Sequence, residues 1–306
     1  MTKHFLRIGT RGSPLALAQA HETRARLMAA HAQPEGVFEI VVISTTGDQV
    51  RDRPLSEIGG KGLFTKELEE ALYAGRIDLA VHSMKDVPAH MPEGLGLGAI
   101  LPREDVRDAF ISFAAKDLRS LPQGVRLGSS SVRRTAQALR LRPDLKPAPF
   151  RGNVQTRLDK LRGGVADATF LAAAGLRRLG LADRITSLID IDDMLPAVAQ
   201  GAIGIQTTLQ AEDVRAAVAK IDHAESHQAV TCERAFMAAL DGSCRTPIAG
   251  HALLKNGVLS FRGEALTLDG KHVFTATRQG PVADAARMGQ DAGEEVKAKG
   301  GSLIAY

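Results

Sequence analysis

The chain has 306 residues, 44% of them hydrophobic, and a formal net charge of +4. This length predicts two or three domains, because single hydrophobic cores rarely grow beyond about 250–300 residues. No apolar run approaches the roughly 20 residues of a membrane span, and residues 1–8 are too polar for a secretion signal. We therefore expect a cytoplasmic protein with no membrane partner.

Arginine outnumbers lysine by about two to one. Because a guanidinium can bind carboxylates and phosphates through two parallel hydrogen bonds, this bias indicates an anionic partner. A nucleic acid is the less favoured partner, since aromatic residues make up only 4% of the chain and tryptophan is absent. A nucleic-acid binder would also be retained on DNA or RNA in a steeply salt-dependent way. We expect a small polyanion instead.

Strands and helices alternate from the beginning of the chain. Residues 5–8 are predicted as a strand, and Ser13 is predicted as the N-cap of a helix over 15–31, with Pro14 in its first turn. The next predicted elements are a strand at 38–44, a helix around 64–72 that ends at Gly75, and a strand at 77–83. This alternation predicts a parallel sheet covered by helices.

The middle of the chain repeats the pattern, with strands predicted at 125–127, 148–150 and 168–171 and helices at 132–141, 154–161 and up to 178. The C-terminal part differs, because a helix at 225–240 is followed by strands with turn signals at 256–257 and 269–270. A final helix is predicted at 282–299. These elements indicate a separate small α+β domain with antiparallel hairpins.

A polar turn follows the strand predicted at 77–83. Lys85 and Asp86 stand side by side in this turn, and Pro88 prevents the strand from continuing. Ligands bind at the carboxyl ends of strands in open α/β sheets, so this pair is a candidate for catalytic chemistry. A surface ion pair in a loop is an equally good interpretation of this segment taken alone.

A second polar turn, residues 128–131, opens the helix predicted at 132–141. It offers free N–H groups and serine hydroxyls at the positive end of the helix, and Arg133 and Arg134 add charged donors. A serine cap followed by two solvated arginines is the alternative. Other strand–helix junctions also carry arginine, namely Arg11, Arg151, Arg157 and Arg178. Since such junctions converge on one rim of a sheet, we expect a shared polyanion site.

The two cysteines, Cys232 and Cys244, fit a reducing compartment and predict neither a disulfide framework nor a metal site. Cys232 shares a predicted helical face with Phe236 and Leu240, which indicates a core residue. Cys244 follows the end of that helix, and Arg245 beside it favours a thiolate. That arrangement suits covalent attachment, and an ordinary loop cysteine is the alternative.

Seven segments combine into one pattern: residues 10–17, 59–67, 81–88, 128–134, 151–157, 199–201 and 233–247. In order and spacing they closely resemble the porphobilinogen deaminase family, also called hydroxymethylbilane synthases. The resemblance covers nearly the whole chain, and the combined motifs are highly specific.

The resemblance implies an α/β fold with three domains. The first two are expected to resemble the lobes of type II periplasmic binding proteins, and the third is expected to be a small α+β domain. The first domain is expected to be discontinuous, with residues 1–100 and 200–219. The second covers 105–196, and the cofactor-bearing third domain covers 222–306.

The resemblance also implies a transferase of porphyrin and heme biosynthesis. Four porphobilinogen molecules lose ammonia and join head to tail on a dipyrromethane cofactor, which a thioether attaches to Cys244. Hydrolysis then releases hydroxymethylbilane. Porphobilinogen carries two carboxylates, so the growing chain is a polyanion of the kind that the arginine content indicates.

Residue roles follow from the same resemblance. Asp86 is expected to be the catalytic carboxylate, able to stabilise positive charge and to move protons. The implied cofactor-binding residues are Cys244, Lys85, Asp86, Ser131, Arg133 and Arg134. The implied substrate-binding residues are Arg11, Ser13, Phe64, Arg151, Arg157, Arg178 and Gln200, with the Phe64 ring against a pyrrole.

A non-catalytic, two-lobed receptor for small anions is the alternative function. It would need the arginines but neither Asp86 nor Cys244. The expected partners are porphobilinogen and a downstream tetrapyrrole enzyme that takes the product, with no nucleic acid, and nothing in the sequence demands more than a monomer.

Overall fold

The computed structural model describes residues 6–49, 62–242 and 246–304. The chain divides into two compact units, each built from two stretches of sequence. The first unit comprises Met1–Glu104 and Ala202–His227, and the second comprises Asp105–Gly201 and Gln228–Tyr306. The three-domain boundaries given above remain a prediction.

The described part of the first unit contains a five-stranded sheet with helices around it. Its strands are β1 (Leu6–Arg11), β2 (Phe38–Ile43), β3 (Leu79–Ser83), β4 (Leu95–Ile100) and β10 (Ile203–Thr208), in the order β2-β1-β3-β10-β4. Its helices are α1 (Pro14–His31), α2 (Thr46–Gln49), α3 (Lys66–Tyr73), α7 (Glu212–Ala219) and the beginning of α8 (Ala224–Ala239).

Local sequence signals explain where β1 and α1 begin and end. The Ser13 hydroxyl accepts a hydrogen bond from the Ala16 amide at 3.2 Å, and Pro14 occupies the first helical turn, as predicted. Strand β1 continues three residues beyond its predicted end, as far as Arg11. The Arg11 side chain therefore starts from the carboxyl end of a strand.

The prediction of a parallel sheet is wrong in part. Strand β1 is parallel to β2 and β3, but β10 is antiparallel to both of its neighbours, β3 and β4. Strand β10 reaches the sheet only after the chain has passed through residues 105–201, and it re-enters in the opposite direction. The sheet is consequently mixed.

The second unit contains another mixed five-stranded sheet among its described residues. Its strands are β5 (Asp108–Ser112), β6 (Arg126–Gly128), β7 (Lys146–Ala148), β8 (Ala168–Ala172) and β9 (Ser187–Leu188), in the order β7-β6-β8-β5-β9. Strand β5 is antiparallel to β8 and β9. Its helices are α4 (Val132–Leu141), α5 (Val154–Arg162) and α6 (Ala173–Arg178).

The C-terminal part of this unit forms a three-stranded antiparallel sheet. Its strands are β11 (Ile248–Lys255), β12 (Val258–Leu266) and β13 (Val273–Pro281), and helix α9 (Ala285–Gly300) follows them. The β11–β12 turn places Asn256 and Gly257 at positive φ, which these residue types tolerate best. The predicted hairpins and the mixed α/β class with a small C-terminal α+β domain are confirmed.

Aliphatic and aromatic side chains form the cores of the two five-stranded sheets. Ile8, Leu79 and Ile203 are fully buried in the first unit, and Phe110 and Phe170 pack ring against ring in the second. Among the residues that the structure describes, no helix combines the length and the apolar character needed to cross a membrane.

Candidate active site

A cleft in the first unit lies at the carboxyl ends of β1 and β3. Polar side chains from both strand ends and from α1 line this cleft together with an aromatic ring. The lining includes Arg11, Ser13, Gln19, Phe64, His82, Ser83 and Asp86. The structure thus gathers four of the residues assigned from the family resemblance, Arg11, Ser13, Phe64 and Asp86, at one edge of one sheet.

Asp86 is displayed by a short 3-10 turn, Met84–Asp86, that directly follows β3. Met84 anchors this turn, because its side chain is buried and its amide donates to the Ala202 carbonyl at 3.0 Å. Lys85 and Asp86 are both exposed. A buried strand and a buried methionine therefore fix the backbone of the turn on which the exposed Asp86 carboxylate stands.

Arg11 and Phe64 contact each other in this cleft. The Arg11 guanidinium carbon lies 4.1 Å from the centroid of the Phe64 ring, which is the geometry of a cation–π contact. Phe64 precedes α3, although its spacing had predicted it on the helix. The ring here faces a guanidinium; its expected contact with a pyrrole remains a prediction.

Polar pairs on β3 complete the cleft. The Gln19 Nε2 atom donates to Ser83 Oγ at 2.8 Å, and His82 Nε2 is 2.9 Å from the Gln206 Oε1 atom. Gln19, His82 and Gln206 are buried. Sequence reasoning missed these residues, because a histidine or glutamine inside an apolar segment carries no signal of its partner elsewhere in the chain.

The second unit contains a buried ion cluster around Asp108, the first residue of β5. One oxygen of Asp108 accepts from Arg134 Nε at 3.0 Å and from Arg134 Nη2 at 2.7 Å, and the other accepts from Arg133 Nη2 at 2.7 Å. Asp108 is fully buried, and the two arginine side chains are only 6% and 7% exposed. An internal carboxylate therefore holds both arginines. The alternative interpretation, in which the two arginines are solvated, is wrong.

The charges in this cluster oppose the effect of burial on Asp108. Burial alone would raise the pKa of Asp108, but the charges and hydrogen bonds of Arg133 and Arg134 outweigh it, and the pKa is lowered. Burial lowers the pKa of Arg133, and the Asp108 charge counteracts part of that effect. Asp108 is consequently ionised at neutral pH.

Gln200 belongs to the same cluster. Its side-chain nitrogen donates to the Asp108 carboxylate at 3.0 Å and to the Val106 carbonyl at 2.8 Å, and the residue is fully buried. Gln200 therefore braces Asp108 in this structure. A direct contact between Gln200 and the substrate remains a prediction.

The remaining predicted anion-binding residues lie at helix ends of the second unit. Ser131 caps α4 by accepting from the Arg134 amide at 3.4 Å. Arg157 Nε donates to the Gly152 carbonyl at 2.8 Å, and Arg178 Nη2 donates to the Gly201 carbonyl at 3.0 Å. Arg151 differs, because its buried Nη1 atom has no hydrogen-bond partner among the described residues. This nitrogen can therefore donate a hydrogen bond to an acceptor on a bound ligand.

Only one of the two cysteines lies in the described part of the chain. Cys232 is fully buried on α8, and burial, aided by the neighbouring Glu233 charge, raises the pKa of its thiol to about 12. The prediction of a core cysteine is confirmed. Cys244, the predicted attachment point, lies outside the described residues.

Asp108 is the most informative residue that sequence reasoning missed. An aspartate that opens an otherwise apolar strand is the available signal, since a buried carboxylate requires a cationic partner. The partners, however, are 25 and 26 residues away in sequence. Only the tertiary structure identifies them.

Solved structures of two binding proteins are similar to this chain at low identity. The methionine-binding protein MetQ is 12% identical with a TM-score of 0.45, covering 74% of this chain and 91% of its own. A periplasmic substrate-binding protein of an ABC transporter from Coxiella burnetii is 13% identical with a TM-score of 0.44, covering 71% and 91%.

Two family models match most of the sequence. The model described as "Porphobilinogen deaminase, dipyromethane cofactor binding domain" matches residues 6–216, and "Porphobilinogen deaminase, C-terminal domain" matches residues 227–298. A curated porphobilinogen deaminase from Paracoccus denitrificans (strain Pd 1222) is 59% identical over 296 residues, which cover 96% of this chain and 94% of the relative. These matches show that the chain, with the cleft and arginines described above, belongs to the porphobilinogen deaminase family.

Proposed function

We propose that this chain removes ammonia from four porphobilinogen molecules, joins them head to tail on a covalent dipyrromethane primer, and releases hydroxymethylbilane by hydrolysis. Membership of the family supports this transferase activity in tetrapyrrole biosynthesis. The structural observation that carries the proposal is the Asp86 carboxylate, which stands on the turn after β3 in the same cleft as Arg11 and Ser13.

The described residues fit a dipyrromethane in chemical terms. Its carboxylates need charged donors, and Lys85 presents an exposed ammonium on the turn that follows β3. When bound, the group supplies the terminal pyrrole carbon to which the first substrate is joined. The residues proposed to hold it are Lys85, Asp86, Ser131, Arg133, Arg134 and, through a thioether, Cys244.

Asp86 is the proposed catalytic carboxylate. Departure of the substrate amine as ammonia leaves a methylene carbon that is electron-poor, with positive charge shared by the pyrrole nitrogen. A fixed carboxylate stabilises that charge more in the transition state than in the ground state, which is the requirement for catalysis. After the new carbon–carbon bond forms, the attacked ring loses a proton, and Asp86 is the proposed acceptor.

Lys85 contributes a positive charge next to the catalytic carboxylate. It is exposed on the same 3-10 turn as Asp86, so the turn carries both signs of charge, with Asp86 lining the cleft. The carboxylate arm of a porphobilinogen can contact the ammonium while the reacting amine faces Asp86. This division of roles orients the substrate in addition to binding it.

Arginines in each unit are proposed to bind the carboxylates of the growing chain. Arg11 serves in the first unit, and Arg151, Arg157 and Arg178 serve in the second. Hydrogen bonds between charged partners contribute about 1.5–3 kcal/mol each, so several of them are needed to offset the desolvation of a polyanion. Phe64 is proposed to support carboxylate binding through its contact with Arg11. Gln200 is proposed to support it through its hydrogen bond to Asp108.

The receptor alternative is less well supported. A non-catalytic anion-binding protein would require the arginines but would have no use for Asp86 or a cysteine-bound cofactor. Family membership favours the enzyme. We further propose a cytoplasmic monomer whose product passes to a downstream tetrapyrrole enzyme.

The denatured intact mass of the freshly purified protein tests the proposal. We expect an excess mass equal to two linked pyrroles, with the modified peptide mapping to Cys244. Replacement of Cys244 by serine should abolish the excess, whereas Cys232→Ser, the matched control, should retain it. An unmodified protein that acquires no adduct after addition of porphobilinogen would contradict the proposed function.

A further inference from the structure

Glu233 opens the motif segment 233–247, but the proposed site gives it no role. It lies on α8 and is fully buried. Its two oxygens accept hydrogen bonds from two different segments: Oε2 from the Ala199 amide at 2.6 Å and Oε1 from the Ala252 amide at 2.7 Å. Hydrogen bonds from backbone N–H groups to a carboxylate are charge-assisted and correspondingly strong. Glu233 therefore ties α8 both to strand β11 and to the chain at residue 199.

Ala199 has a backbone conformation that alanine rarely adopts. Its φ is 58°, in the left-handed region, which is unfavourable for a residue with a Cβ atom. Residues other than glycine keep such a conformation only where the surrounding structure imposes it, and they cluster at functional sites. Because the Ala199 amide donates to Glu233, the buried carboxylate is one of the contacts that impose this conformation.

The two residues that follow Ala199 both make contacts that matter for the proposed anion site. Gln200 Nε2 donates to the Asp108 carboxylate at 3.0 Å, and the Gly201 carbonyl accepts from Arg178 Nη2 at 3.0 Å. Gln200 and Arg178 are both among the proposed substrate-binding residues. The direction of the chain at Ala199 consequently decides where the Gln200 side chain and the Gly201 carbonyl lie.

The segment before Ala199 is held against β11 by other contacts. The Gly250 amide donates to the Pro196 carbonyl at 3.0 Å, and a Cβ built on Gly250 would lie 3.3 Å from Val198 Cγ2. Since these contacts fix the chain as far as Val198, the turn at Ala199 sets the direction in which it continues. The hydrogen bond to Glu233 lies at that turn.

We propose that Glu233 is a positioning residue for substrate binding, which holds the left-handed turn at Ala199 so that Gln200 and Arg178 keep their places. This inference rests on the proposed function, because it takes Gln200 and Arg178 as parts of the polyanion site. Glu233 acts through the backbone and does not contact the substrate in this role. Its loss should therefore weaken the binding of a polycarboxylate more than it slows the chemical step.

The test compares Glu233→Gln with Glu225→Gln, which changes an exposed glutamate of the same helix. In Glu233→Gln one acceptor oxygen becomes an NH₂ group, which would face a backbone N–H at a present distance of 2.6 or 2.7 Å. Citrate serves as an unreactive polycarboxylate probe, and calorimetry measures its affinity for each holoenzyme. We expect Glu233→Gln to bind citrate about 5- to 50-fold more weakly than the wild type, and Glu225→Gln to bind it within about twofold.

A second substitution separates the turn at Ala199 from the other contact of Glu233. Glycine adopts the left-handed conformation readily, so in Ala199→Gly the turn no longer depends on the carboxylate. Added to Glu233→Gln, this change should recover about three- to tenfold of the lost citrate affinity. A role of Glu233 confined to β11, through the Ala252 amide, predicts no such recovery.

Steady-state kinetics with porphobilinogen provide a further readout. KM should rise in Glu233→Gln while kcat stays within about threefold of the wild type, whereas a partly unfolded preparation would lower kcat and leave KM unchanged. Equal citrate affinity in wild type and Glu233→Gln, including no binding by either, would overturn the proposal, and so would a double variant that recovers no affinity.

A milder change keeps the proposal testable if Glu233→Gln fails to fold. Glu233→Asp retains the charge and shortens the side chain by one methylene, so it must show the same weakening and the same recovery with Ala199→Gly. The absence of either effect overturns the proposal as well. Since citrate binding does not require turnover, a wild type that binds citrate but does not consume porphobilinogen would count against the proposed function alone.

Discussion

Replacement of Asp108 by asparagine tests the buried ion cluster of the second unit. The change keeps the size of the side chain but removes the charge that fixes Arg133 and Arg134. It also turns one acceptor oxygen into an NH₂ group, which would face a guanidinium N–H at a position where the present distances are 2.7–3.0 Å. Two buried cations would then share one neutral acceptor.

The expected loss of stability is large. Removal of one partner from a buried ion pair destabilises by about 3–5 kcal/mol, and full burial of Asp108 leaves little solvent screening to reduce that figure. For a unit of this size about 1 kcal/mol corresponds to 2–4 °C, so the melting temperature should fall by about 6–20 °C. The matched control, Asp159→Asn, removes a half-exposed carboxylate paired with Arg162 and should change stability by no more than about 0.5 kcal/mol.

The difference in unfolding free energy between the wild type and Asp108→Asn should depend on pH, because the pKa of Asp108 is lowered in the folded protein. A carboxylate with a lowered folded-state pKa contributes stability above its unfolded pKa, near 3.9, and loses it as the pH falls further. The difference between wild type and variant should therefore be constant from about pH 5 to 8 and shrink below about pH 4. Urea unfolding monitored at several pH values measures it. A difference within about 1 kcal/mol at pH 7 would refute the ion-cluster reasoning.

Three further predictions concern the site and the cysteine. Asp86→Asn should reduce turnover by about 10²–10⁴-fold while the primer stays attached, and the exposed Asp183→Asn should not; near-normal turnover in Asp86→Asn would remove its catalytic assignment. Arg151→Gln should raise KM for porphobilinogen about 10- to 150-fold. The melting temperature should not fall, because the buried Nη1 atom of Arg151 has no hydrogen-bond partner to lose among the described residues. A lower melting temperature with unchanged KM would indicate a structural role. Cys232, whose thiol pKa is raised to about 12, should resist iodoacetamide at pH 8 in the native protein and react once urea unfolds the chain. Peptide mass mapping measures the labelling, and labelling of Cys232 in the native protein would contradict its burial.

Local sequence patterns were sufficient to predict most of the elements and the polar, cationic character of the site. The cap at Ser13 and the turn at 256–257 depend on neighbouring residues, so their positions were predicted correctly. The turn that carries Asp86 was also predictable, because an apolar strand followed by Lys-Asp and Pro88 is a local pattern. The resemblance to a family then supplied roles for residues that no local pattern distinguishes.

The direction of β10 and the partners of the buried charges could be read only from the three-dimensional structure. Strand β10 joins its sheet after an intervening unit, and antiparallel entry reflects the path of the chain, which periodicity does not encode. Asp108 is ionised in the interior because Arg133 and Arg134, 25 and 26 residues away in sequence, surround it in space. Sequence patterns depend on a residue's neighbours along the chain, whereas the electrostatic energy of a buried charge depends on its neighbours in space.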